Sequence, residues 1–86
     1  MIKPVFSIYD AKTGFGPIYT QHTKGEAERQ FLNTLNEESN SNFYKHPEDF
    51  DLYQVGEWDY EEGKLLDMST NVKIISGLQC KEMRQQ

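Results

Sequence analysis

The chain has 86 residues, 36% of them hydrophobic and 13% aromatic, with a formal net charge of −5. A chain this short buries only roughly 60–65% of the surface its unfolded form exposes, which predicts one domain, residues 1–86, with a thin core and no deep catalytic cleft. The acidic balance excludes a uniformly basic nucleic-acid coat, and no stretch approaches the roughly 18–20 apolar residues of a membrane span.

Lys3–Asp10 has the β-branched and aromatic content of a strand, with Pro4 tolerated near its start or at a sheet edge. Alternation puts Phe6 and Ile8 on the core face and Lys3, Val5, Ser7 and Tyr9 on the other. Ala11–Pro17 carries two glycines and a proline and reads as a wide turn, Gly14-Phe15-Gly16 included, before a short return strand over Ile18–Gln21. Thr23-Lys24-Gly25-Glu26 has the form of a capping box. Ala27, Phe31, Leu32 and Leu35 then make one apolar stripe of a helix running to about Glu38. Glu37–Asn42 is a solvated loop, Phe43-Tyr44 restores apolar character, and His46–Phe50 has the form of a single helical turn with Pro47 at its first position.

Phe50–Leu66 gives the clearest hairpin signal. An aromatic-rich strand holds Trp58, Glu61-Glu62-Gly63 reverses the chain with Gly63 at positive φ, and Lys64 begins the return. In a regular strand Trp58 shares parity with Leu52, which assigns both to the core; a bulge at Gly56 reverses Trp58. Asp67–Asn71 reads as a polar turn and Val72–Ile75 as a further strand stopped by Gly77. Residues 78–86 read as either a flexible tail or a short helix. The predicted class is α+β: a mostly antiparallel sheet of four or five strands in the order β-β-α-β-β, with one amphipathic helix on one face.

His22, His46 and Cys80 have no metal-ligand spacing, no serine lies in a nucleophile context, and no Gly-rich phosphate loop occurs. Neither a metal, a cofactor nor an enzyme is therefore expected. A lone cysteine cannot form an internal disulfide, and Met1–Tyr9 lacks the apolar run of a signal peptide, which together fit a reducing cytosol.

Charge is segmental: residues 1–45 are neutral overall, residues 46–70 hold eight acidic side chains against Lys64, and residues 71–86 carry +2. Alternation makes Asp51, Glu57 and Asp59 neighbours on one face, where a solvated rim guarding the sheet edge explains them better than acid–base or cation chemistry does. If Phe6, Ile8, Ile18 and Leu52 face the helix, then Tyr9, Tyr19 and Tyr53 fall on the opposite face, near Lys3 and Lys12. Aromatic platforms flanked by cations hold single-stranded nucleic acid by stacking, at about 1–3 kcal/mol per base. The same open face serves equally as a dimer interface or a second core layer.

VFSIYDAKTGF at the start, HPEDFDLYQVGEWD after the polar loop and the hairpin with Gly63-Lys64-Leu65 together resemble the small nonstructural protein of gokushoviruses, a branch of the single-stranded-DNA microviruses. The resemblance covers about residues 4–66. Beyond Asp67 it fades: the family's closing apolar segment corresponds to Val72–Ile75, and the stretch from Gln79 does not align. The resemblance implies a noncatalytic phage protein of the host bacterial cytoplasm that is absent from the mature capsid. It further implies binding of viral single-stranded DNA during genome synthesis or packaging. In that setting Tyr9, Tyr19 and Tyr53 are expected to stack on bases, Lys3, Lys12 and Lys73 to meet phosphates, and the protein to form a homodimer. The alternative expectation is an interaction module whose acidic segment engages a basic phage or host replication or packaging protein.

Overall fold

Two antiparallel hairpins and one amphipathic helix build the molecule, whose computed structural model describes residues 1–84. In chain order these are β1 (Ile2–Asp10), β2 (Gly14–Phe15), β3 (Tyr19–Thr20), α1 (Lys24–Asn36), α2 (Asn42–Lys45), β4 (Phe50–Asp59), β5 (Lys64–Ser76) and α3 (Gly77–Arg84). A single 3-10 turn, Pro47–Asp49, leads into β4. The α+β class and the antiparallel sheet are as expected.

β1 and β4 are the central strands: β1 pairs antiparallel with β4, and β4 with β5. β2 pairs the Tyr9–Asp10 end of β1 and β3 pairs its Val5–Phe6 end, so the two form one edge strand interrupted at Gly16-Pro17-Ile18. Pro17 has no N–H to give a ladder, which accounts for the break. The crossing is held by Ser7, whose hydroxyl donates to the Gly16 carbonyl at 2.9 Å, and by the Gly16 N–H on the Ile8 carbonyl at 2.9 Å.

α1 begins where the sequence places it, with the Thr23 hydroxyl accepting from the Glu26 N–H at 3.1 Å. Its buried stripe, Ala27, Phe31 and Leu35, packs on the sheet face that carries Phe6, Phe50, Leu52 and Ile75. Phe6, Phe31, Leu35 and Leu52 are at most 2% exposed, each contributing about 1.5–3 kcal/mol of burial.

Several expectations change. The return strand starts at Tyr19 rather than Ile18, and Tyr19 pairs with Phe6; cross-strand partners share a face, so Tyr19 lies on the core side. Ile18 is then not a core residue and is 58% exposed. In β4 the register shifts between Phe6↔Gln54 and Val5↔Gly56, leaving Val55 as an extra residue that reverses every side chain beyond it. Trp58 therefore leaves the helix-side face and pairs with Lys3, while Glu57 and Asp59 lie on the face opposite Asp51. Gly14-Phe15 is not merely a turn: Gly14 takes φ 99° and Phe15 pairs with Tyr9.

β5 is one strand where a turn and a separate strand were expected. Gln54 pairs with Val72 and Gly56 with Asp67, so residues 68–71 bulge out opposite Val55. The polar residues are accommodated because β5 is an edge strand, whose outer side carries no further partner. At the other turn Gly63 has φ 69°, as the hairpin requires.

The choice between tail and helix resolves as a helix over Gly77–Arg84, with residues 85–86 outside the described residues. Ser76 and Gln79 start it with a reciprocal capping box: the Gln79 N–H donates to Ser76 Oγ at 3.1 Å and the Ser76 N–H to Gln79 Oε1 at 3.0 Å. Cys80 then enters the core fully buried.

Candidate nucleic-acid interface

The sheet face turned away from α1 carries Lys3, Val5, Ser7 and Tyr9 of β1, as alternation requires. At its Tyr9 end three rings meet. Tyr9 and Phe15 are cross-strand partners with centroids 5.0 Å apart, and Tyr53 lies 6.2 Å from Tyr9 and 5.4 Å from Phe15. Both contacts of Tyr53 are edge-on, at 81° and 69°, an arrangement that the ring quadrupoles favour. Phe15 keeps 49% of its surface exposed and offers the freest ring of the three.

One cation joins them. Lys73 pairs with Tyr53 across β4 and β5, and its Nζ lies 5.9 Å from the Tyr53 ring centroid. The same ammonium is 3.6 Å from Asp51 Oδ2, so its charge is shared with a carboxylate.

Of the expected site residues, Tyr9, Tyr53 and Lys73 are thus brought together. Lys12 is exposed in the three-residue turn beyond Asp10, where the Asp10 carboxylate accepts the Lys12 N–H at 2.9 Å. Lys3 lies six residues from Tyr9 along β1, roughly 20 Å at strand rise, beside Trp58 and with Nζ 5.1 Å from the Tyr60 ring. Tyr19 does not belong to the group. Its ring packs 6.0 Å from Phe6 in the core, and burial pushes its phenol above the ordinary value.

Phe15 is the member that sequence reading misses. Its signal is the Asp10-to-Gly14 spacing: a three-residue loop closed by a left-handed glycine puts the next residue opposite Tyr9.

The acidic hairpin stands apart from the rings. Asp59 organises the turn, its Oδ1 accepting the N–H groups of Glu61 at 3.1 Å and Glu62 at 3.2 Å, and both Asp59 and Glu61 pair with the N-terminal ammonium. Among the described residues no three His, Cys, Asp or Glu side chains gather closely enough to hold a metal ion.

A family model described as "Phage ORF5 protein" matches residues 3–80. The chain belongs to this phage protein family. The ORF5 match takes in β1 to Cys80 of α3, and therefore the three rings with Lys3, Lys12 and Lys73. It continues past Asp67, where the resemblance read from sequence fades, and ends before Arg84. No curated protein and no solved structure matches the chain. Among the described residues no helix is long and apolar enough to cross a membrane.

Proposed function

We propose that this ORF5-family protein is a noncatalytic, gokushovirus-type phage protein that binds single-stranded DNA in the host cytoplasm during genome synthesis or packaging. The observation that carries the reading is the half-exposed ring of Phe15 grouped with Tyr9 and Tyr53 beside Lys73. Bases stack on Phe15 and Tyr53, and Lys73 exchanges Asp51 for a phosphate. Lys12, on the adjoining turn, extends the path of the backbone, whereas Lys3 stands at the far end of β1 beside Trp58. The acidic hairpin repels DNA and directs it toward the ring end.

Fluorescence anisotropy of a labelled single-stranded oligonucleotide tests this. Phe15→Ala and Tyr53→Ala are each expected to cost about 1–3 kcal/mol, a roughly 5- to 150-fold rise in Kd, with far-UV circular dichroism unchanged. Asp51→Asn, which frees Lys73 while retaining an acceptor for the Gly77 N–H, is expected to tighten binding up to about fivefold. No binding at low salt, or binding indifferent to Phe15→Ala, would defeat the reading.

A second reading follows from the acids on the projecting hairpin: recognition of a basic phage or host replication protein. Charge reversal at Glu57, Glu61 and Glu62, sparing the turn-forming Asp59, abolishes capture of such a partner under this reading and leaves it intact under the first.

A further inference from the structure

We propose that a second copy of this chain docks on the end of the open sheet face formed by Val5, Ile18, Trp58 and Leu65, closing a two-fold dimer with reciprocal Lys3–Asp67 ion pairs. This does not rest on the DNA reading. Val5 is only 2% exposed although it faces away from α1 and lies outside the main core. Ile18 and Leu65 line, with Val5, two shallow grooves of about 330 Å³ each, and Trp58 lines one of the two. Ile18 and Leu65 are each 58% exposed, so the apolar cluster is half-built. Grouped exposure of this kind on a small domain marks an association surface.

Charge selects the occupant. The extra residue at Val55 turns Glu57 and Asp59, with the latter's partner Lys64, to the other face of the hairpin. The charged side chains that register leaves on this end of the open face are Lys3, opposite Trp58, and Asp67, opposite Gly56. They stand on β1 and β5, at diagonal corners of the apolar group, and neither has an ion-pair partner among the described residues. One cation and one anion placed diagonally across an apolar patch are self-complementary: a two-fold axis bisecting them sets Lys3 of each copy on Asp67 of the other. A basic partner would be drawn instead to the acidic tip, and nucleic acid would be repelled by it. The patch lies at the opposite end of β1 from Tyr9, so both ring clusters stay open in the dimer.

Trp58 is the only tryptophan and reports directly on the patch. Sedimentation equilibrium of the full chain is expected to give a concentration-dependent mass approaching two 10.1 kDa chains, with Trp58 emission shifting to the blue as dimer forms. Ile18→Asp and Leu65→Asp, both at positions more than half exposed, are expected to give folded monomers. Lys3→Glu is expected to weaken the dimer roughly tenfold, and the swap Lys3→Glu with Asp67→Lys to restore it. A monomer throughout the micromolar range, a dimer indifferent to Leu65→Asp, or a swap that fails to restore association would each overturn the proposal.

Discussion

Gly77 has the least room for a side chain of the glycines in the fold. A Cβ there would stand 1.7 Å from the Pro47 carbonyl oxygen and 2.4 Å from that of Phe50, both backbone atoms that cannot swing aside. Gly77→Ala is expected to cost about 3 kcal/mol or more, read as a lowered urea midpoint. Arg84 closes the other end of α3. Its guanidinium donates to Asn36 Oδ1 at 3.1 Å, to the Tyr44 carbonyl at 3.1 Å and to the Leu35 carbonyl, and stacks 4.0 Å from the Tyr44 ring centroid. The Leu35 carbonyl is among those that the end of α1 leaves without an intrahelical donor. Arg84→Ala should destabilise by about 1–3 kcal/mol, and Arg84→Lys should not restore it, because one ammonium cannot reproduce the planar fork. Cys80 gives a pH signature. Burial pushes its thiol up to about 11, so the unfolded thiol ionises before the folded one as pH rises. The contribution is therefore complete below about pH 9 and is lost toward pH 11, and the raised Tyr19 phenol acts in the same direction. A falling Tm over that window, made shallower by Cys80→Ala, checks the sign.

Elements were legible wherever one periodicity ran unbroken, and misread wherever one residue was added or displaced. Phe6, Ile8 and Leu52 follow from alternation, Phe31 and Leu35 from helical spacing, and the α1 start and the hairpin turn from Thr23 and Gly63. Tyr9 and Tyr53 share a face for the same reason, whereas Lys73, of the same parity as the core residue Ile75, joins them only because the register of β5 shifts by one residue at Ile74. Trp58 and Tyr19 were misplaced by single-residue offsets, the extra Val55 in β4 and the later start of β3; in a structure with period two each offset exchanges the faces. The start of α3 was readable: Ser76 and Gln79 have the spacing that marks Thr23 and Glu26, but Gly77 between them suggests a stop. Phe15 was harder, because a two-residue strand has no period to detect. Deleting Val55 tests the bulge as a device. With the extra residue gone, regular alternation keeps Gly56 opposite Val5 and Trp58 opposite Lys3, so Trp58 and Leu65 are expected to stay on the open face with Val5 covered, and sedimentation should still give the dimer.

At the scale of the whole molecule, a protein of net charge −5 with a half-built apolar patch and a cationic ring cluster should respond to salt in opposite ways at its two ends. Two lysines at the ring end, Lys12 and Lys73, meeting phosphates predict a slope of log K against log salt of about −1.4 for single-stranded DNA. Dimerisation brings two acidic chains together over apolar surface, so screening relieves repulsion, while the two exposed Lys3–Asp67 pairs lose at most about 1 kcal/mol each. Raising salt from low to moderate ionic strength is therefore expected to tighten the dimer while it releases DNA. Parallel titrations by sedimentation and by anisotropy separate the two surfaces. If both affinities fell together, the lysines and the apolar patch would belong to one interface, and the division of the open face into a ring end and a docking end would be wrong.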